Sequence, residues 1–404
     1  MDTIVLLAIV IICGLIALSI LRKFKLPALI GFLVLGFILG PYCLKIINTG
    51  SMPLYEDICT LALVIIVFRG GLGLQQDHLR STGNISLRLG ILPCLLEGFT
   101  IAFLSMVLFN FTFIQGALLG FIISATSPAI VIPQMLSLMK KGYSRFEKLA
   151  STVLAGSSVD CVLAITLFSI FFGMYFSSSI NLVWTVVSVP LAFILAFIIG
   201  AVIAIVLIKV LDYWKLSNVE TVLLVLAVLI LIHRFSDYIN QHILPFAGVL
   251  CIVILGIVFI NRRPDLGARF SDSFAKFWVL AEMLLFIFVA ASANLPLAWS
   301  ELLNGIIIVC SGLVARSIGV YISLWGTEYN IKEKIYCMIV YGCKATVQAA
   351  LGALPLLGGV AGGELILAIS VISIILTAPT GALIISLTED KLLDFNKESI
   401  ETLE

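Results

Sequence analysis

From its first residue the chain alternates long apolar runs with short polar connections. Thirteen runs stand out, at about 3–21, 27–46, 57–71, 88–110, 115–139, 149–172, 184–210, 219–233, 247–260, 276–294, 303–325, 334–352 and 364–388. Most approach the length of about twenty residues that an α-helix needs to cross the hydrocarbon core of a bilayer. Backbone polar groups in lipid must be satisfied within their own segment, so the pattern predicts an all-α polytopic membrane protein with thirteen transmembrane helices. Runs seven apart point in opposite directions, as an inverted repeat requires. Runs 4, 5 and 6 then mirror 11, 12 and 13. Run 5 is interrupted by Thr126-Ser127-Pro128 with Pro133 beyond, and run 12 by Lys344-Ala345-Thr346 with Gly352 and Pro355 beyond. One Pro or Gly alone reads as an ordinary membrane-helix kink. Two breaks in matched positions point instead to a binding site near the bilayer midplane.

Composition agrees with the pattern: of 404 residues, 61% are hydrophobic and 12% charged, about half the charged share of an ordinary soluble domain. The expectation is one membrane domain over 1–404, with no catalytic or regulatory module visible. A formal net charge of +1, with the basic residues dispersed, gives no footing for nucleic acid. The nine cysteines form neither a metal spacing nor a disulfide framework. Met1-Asp2-Thr3 leads into the first run with no basic preface, which argues against a cleaved signal peptide. With the N-terminus outside and the C-terminus cytoplasmic, 20 of the 24 Lys and Arg fall on the inner side and only Lys45 and Arg234 outside, while Arg316 and Lys344 lie within runs. That asymmetry is the positive-inside signature and supports the odd count and the orientation together; the expected location is a bacterial inner membrane, crossed many times.

Charges inside apolar runs are costly and need partners or water, which singles out Glu97, Asp160, Arg316 and Lys344. Asp160 lies mid-run in Ala155-Gly156-Ser157-Ser158-Val159-Asp160-Cys161, where small residues allow close helix approach and hydroxyls add oxygen ligands. A carboxylate with hydroxyls and unwound backbone carbonyls is the hard oxygen set that a dehydrated alkali cation requires. One desolvated carboxylate can hold either a proton or that cation, and competition for it is the simplest exchange mechanism. The alternative is Asp160 as half of a fixed ion pair. Glu97 and Arg316 occupy mirrored runs at comparable depth and are expected to pair. Lys344, at the break of run 12, can offset the negative carbonyl ends of a half-helix. On this reading Asp160 is the only carboxylate at the crossing. Glu282 reads as structural, and His233, Asp237 and His242 as a solvated edge rather than a metal site. No phosphate loop, nucleophile elbow or HExxH appears, so neither an enzyme nor an ATP-driven pump is expected, and no cofactor beyond the transported ions.

The segments Ala125 to Pro133, Ala155 to Cys161, Ala315-Arg316 and Lys344-Ala345-Thr346-Val347-Gln348-Ala349, in this order, resemble the monovalent cation/proton antiporter superfamily, above all its sodium/proton antiporters of the NHA group. The resemblance covers roughly residues 1–390 and implies an NhaA-type fold, a homodimer in membrane lipid, with runs 5 and 12 crossing at the breaks around Ser127 and Pro128. It implies an ion-translocating core over 88–172 and 303–388, moving elevator-like against a dimerisation scaffold and linkers over 1–87 and 184–294. It implies that Asp160 and Thr126 lie beside a sodium or lithium ion, with potassium a third candidate, and that Arg316 holds a basic position faced by Glu97; the residues themselves add Ser157 and Cys161 to the candidate ion site and Lys344 to the charge-compensating set. The position acidic in both the Asp-Asp and Asn-Asp versions of the family motif is here Cys161, and a neutral thiol is a poor sodium ligand. Either Asp160 works alone, or the chain is a transport-impaired variant or a non-transporting membrane sensor. A sodium-coupled symporter of organic anions is a further alternative, which a roomier polar cavity would mark.

Overall fold

The computed structural model describes residues 3–23, 28–47, 52–73, 76–141, 144–176, 182–214, 216–242 and 246–393. Helices account for most of them, and no strand occurs among the described residues. In chain order they are α1 (Thr3–Lys23), α2 (Ala28–Leu39), α3 (Met52–Leu72), α4 (Gln76–Phe109), α5 (Phe113–Ser124), α6 (Pro128–Met139), α7 (Ser144–Tyr175), α8 (Leu182–Trp214) and α9 (Asn218–His242). There follow α10 (Gly248–Arg262), α11 (Pro264–Ser292), α12 (Leu295–Ser300), α13 (Leu302–Ser323), α14 (Ile331–Tyr341), α15 (Thr346–Gly352), α16 (Leu354–Leu357) and α17 (Gly363–Leu392). Each of the thirteen apolar runs falls on a helix or a broken pair. Ten spans among the described residues are long and apolar enough to cross a membrane by length and composition. The three remaining runs fall on α2 and α10, which are shorter, and on α3, which carries Glu56, Asp57 and Arg69.

Two compact units emerge: Met1–Gln75, Ile165–Leu295 and Ala349–Glu364 make one, and Gln76–Ala164, Pro296–Gln348 and Leu365–Glu404 the other. The first is built on an aromatic cluster in which Phe68 of α3 meets Phe274 of α11 edge-on at 4.9 Å and Phe259 of α10 meets Phe270 at 5.0 Å. Its half-buried Glu282 sits beside Trp278, over whose ring the Arg69 guanidinium stands at 6.0 Å. The side chains of Asp237 and His242 lie outside the described residues.

The second unit holds both breaks. α5 starts on a capping box in which Thr112 and Gln115 bond each other's backbone, and it stops at Ala125, whose backbone is extended (φ −67°, ψ 129°). Pro128 at the first position of α6 biases Ser127 away from the helical region, so the chain crosses 125–127 extended. α14 likewise starts on a capping box, between Asn330 and Glu333, and ends at Gly342. No proline breaks it. Instead Thr377 of α17 accepts from the Lys344 backbone N–H at 3.0 Å and its hydroxyl lies 3.3 Å from the Lys344 carbonyl, holding the unwound residue open. α4 begins ahead of its apolar run and passes through Gly83 at φ 37°, a left-handed backbone that favours glycine.

Candidate functional site

Backbone groups orphaned around the first break find partners from elsewhere in the same unit, as burial demands. The Thr126 N–H donates to Asp160 Oδ2 at 2.8 Å, and the Ser127 N–H to the Cys343 carbonyl in the second break at 2.9 Å. On the other side, Gln348 Nε2 donates to the carbonyls of Ile122, Ile123 and Ala125 at 3.0, 3.1 and 2.7 Å, and Lys344 Nζ approaches the Ser124 carbonyl at 3.5 Å. Thus the two breaks cross and complete each other, with Ser127 Oγ 3.4 Å from Thr346 Oγ1.

Four charges converge on this crossing, all with essentially no exposed surface. Arg316 of α13 pairs through Nε with Glu97 of α4, as expected from their mirrored runs. Its Nη1 also donates to Asp160 Oδ1 at 3.1 Å and to Thr126 Oγ1 at 2.8 Å, so one guanidinium joins both carboxylates. Lys344 Nζ donates to Glu97 Oε2 at 2.7 Å. The set is two cations and two carboxylates, neutral overall, which is the condition for burying it at all. Three polar atoms nearby have no partner: Glu97 Oε1, Arg316 Nη2 and Gln348 Oε1.

The structure brings together Thr126, Asp160, Glu97, Arg316 and Lys344, with Ser127 and Pro128 at the break. It corrects one expectation and refines two. Asp160 is not the sole carboxylate at the crossing, because the Glu97 side chain extends from α4 to Lys344 itself. Lys344 serves the carbonyl end of α5, not of its own helix. The Asp160 carboxylate is ion-paired as found, both oxygens being engaged. Ser157 points its hydroxyl back to the Leu154 carbonyl at 3.0 Å, and the Cys161 thiol is buried and free, outside the bonds that hold Asp160. Among the described residues no group of three or more His, Cys, Asp or Glu converges to hold a resident metal.

Sequence reasoning missed Tyr341 and the role of Gln348. The Tyr341 ring lies 5.9 Å below the Arg316 guanidinium carbon, and its carbonyl lies 3.5 Å from Thr126 Oγ1. Its position directly ahead of the break in run 12 was the available signal.

A family model described as sodium/hydrogen exchanger, transmembrane, matches residues 7–388. Sodium/hydrogen exchanger 9B1 of Mus musculus is 32% identical over 387 residues, covering 91% of this chain and 66% of the mouse protein. Sodium/hydrogen exchanger 9B2 of Bison bison bison is 31% identical over 384 residues, covering 91% of this chain and 70% of its own. The chain therefore spans about two thirds of the length of these relatives. Among solved structures, the sodium proton antiporter MjNhaP1 from Methanocaldococcus jannaschii at pH 8 superposes with a TM-score of 0.79 at 22% identity, covering 96% of each chain. That likeness establishes a shared fold.

Proposed function

We propose that this chain, which belongs to the sodium/hydrogen exchanger family, exchanges a monovalent cation for protons across a membrane, with Asp160 as the carboxylate that carries each in turn. Members of the family are transporters, not enzymes, and the transported ions are substrates. The observation that carries the reading is the crossing of two non-helical breaks beside a buried carboxylate, joined by the Ser127–Cys343 backbone bond at 2.9 Å. Broken membrane helices with exposed backbone ends are where secondary transporters hold ions.

The hydrogen bonds suggest how Asp160 is released. As found, Arg316 occupies Asp160 Oδ1, while Arg316 Nη2 and Glu97 Oε1 are both unpartnered. Arg316 already meets Glu97 through Nε. A small rotation of the guanidinium would let it grip Glu97 with two parallel bonds, freeing Asp160 without leaving a buried cation unpaired. The carboxylate and the Thr126 hydroxyl would then face a dehydrated sodium or lithium ion, with potassium as the third candidate. Protonation of Asp160 would discharge the ion. Lys344 keeps Glu97 compensated in both states.

We assign ion translocation to the core over 88–172 and 303–388 and the scaffold role to 1–87 and 184–294, working by an elevator-like exchange of access in a homodimer within membrane lipid. A cytoplasmic C-terminus, an external N-terminus and a bacterial inner membrane complete the reading, on the distribution of basic residues. One observation favours a second reading, a transport-impaired antiporter: both Asp160 oxygens are engaged and the neighbouring position is a thiol. Proteoliposomes loaded with a pH-reporting dye and given sodium, lithium and potassium in turn distinguish the two. Proton efflux with any of them supports exchange, and none with all three supports impairment.

A further inference from the structure

We infer that Gln348 is a specificity-determining residue of the crossing: its carboxamide fills the fan of carbonyls at the end of α5 as a fixed stand-in for a cation. The inference rests on the antiport reading above and goes further, since it says why the transported ion is confined to the oxygens of Asp160 and Thr126.

The last carbonyls of a helix have no partner within it and carry the negative end of its dipole. In broken membrane helices such carbonyl ends serve as cation ligands. Here the carbonyls of Ile122, Ile123 and Ala125 converge on Gln348 Nε2 at 2.7 to 3.1 Å. An amide nitrogen has two hydrogens, so three acceptors share two donors, which is how a cation would be surrounded rather than how one helix cap is usually made. Chemistry fixes the orientation of the amide, because turning it would set its oxygen against three carbonyl oxygens. The side chain is fully buried and its Oε1 is left without a partner. Packing alone gives no reason to keep a polar group there at that cost, whereas the need to occupy the carbonyls does. Without the amide, neutral oxygens and no carboxylate would face one point. That ligand set suits a larger, weakly hydrated cation such as potassium, as carbonyl-lined filters do.

The test uses the purified full chain and its Gln348→Ala and Gln348→Met variants, the second keeping the volume. Thermal unfolding is followed in lithium, sodium, potassium and rubidium chlorides, and half-saturation for each cation is measured in proteoliposomes. The expected result is that the variants gain stabilisation by potassium and rubidium that the parent lacks, with half-saturation for potassium about tenfold lower, the ratio one net interaction of ordinary strength supports. Variants that rank the cations as the parent does would overturn the proposal. So would failure of both to fold with potassium as well as without it, since the amide would then be a structural staple only. If one variant folds, its ranking decides. A parent without cation-dependent proton flux would sink the antiport reading, yet the thermal comparison would still judge Gln348, because it reads binding rather than transport.

Discussion

Lys344 and Glu97 stand 247 residues apart in the chain and meet at 2.7 Å inside the second unit, each without exposed surface. Arg316 binds the same Glu97 oxygen through Nε and reaches across to Asp160. Glu97 and Arg316 are thus the two inner links of a chain of charges, cation to carboxylate to cation to carboxylate. Removing an end leaves one neighbour short, and removing an inner link leaves two.

Glu97→Leu is accordingly expected to be more destabilising than neutralising either end, Lys344 or Asp160. Deleting one partner of a buried pair typically costs about 3–5 kcal/mol, and here Lys344 loses the carboxylate it pairs with while Arg316 is left with Asp160 alone. Glu97→Leu combined with Lys344→Leu should recover part of the loss, because the pair leaves together. Thermal unfolding of the purified singles and the double in detergent measures this. A double that is no more stable than Glu97→Leu would mean that Lys344 does not depend on Glu97.

Asp160→Asn is expected to reduce cation-dependent proton flux to background while the chain still folds with part of its stability lost, since the amide keeps an acceptor for the Thr126 N–H and Arg316 keeps Glu97. Cys161→Asp adds a second acid beside it and should raise flux while shifting its pH profile, because two interacting carboxyls titrate as a pair. Dye-reported flux across a pH series in proteoliposomes gives both answers. Undiminished flux in Asp160→Asn would remove Asp160 as the carrier.

Outside the membrane, the connection between α13 and α14 carries a readable pH dependence. Lys148 Nζ donates to Glu328 at 2.6 Å, and this hydrogen bond holds the Glu328 carboxyl below the ordinary carboxylate range. A carboxyl depressed by folding contributes stability above its unfolded value, about pH 4.3 for glutamate, and loses it as the pH falls through the folded one. Both side chains are about half exposed, so the contribution is small. Lys148→Met should narrow the difference in melting temperature between about pH 7 and about pH 4. An unchanged difference would show that the bridge does not persist in solution.

The apolar runs and both breaks were legible because hydrocarbon imposes one rule on every segment, and Pro128 announces its own interruption. The Glu97–Arg316 pair was legible from matched depth. Depth says nothing of which face of a helix a side chain leaves from, and for that reason the sharing of Arg316 between two carboxylates was not. The break of run 12 marks Lys344 as a partner for half-helix carbonyls, but not which half-helix; its long stem reaches the end of α5. The starts of α4 and α7 lay beyond reach, since Gln76 and Ser144 stand ahead of the apolar stretches that a lipid-based pattern detects. The hydroxyls of Ser157 and Ser158 turned inward to Leu154 because a helical serine can satisfy itself one turn back.

The fit of Tyr341 against the Asp160 helix supplies a last prediction. A side chain at Gly156 would run into the Tyr341 hydroxyl and come within 2.9 Å of Leu89 Cβ, so the glycine is where α7 accepts the ring's polar tip. Gly156→Ala must push that tip away, and the ring it drags lies 5.9 Å from the Arg316 guanidinium carbon. The expected result is overpacking of about 1–3 kcal/mol, with transport reduced more than folding because Arg316 loses its support. Tyr341→Phe removes the clashing atom and keeps the ring, so Gly156→Ala with Tyr341→Phe should regain both stability and flux in part, with Leu89 left as the residual clash. The four proteins are compared by thermal unfolding and by proteoliposome flux. A double variant no better than Gly156→Ala would place the obstruction at Leu89, and the ring would then have no part in seating Arg316.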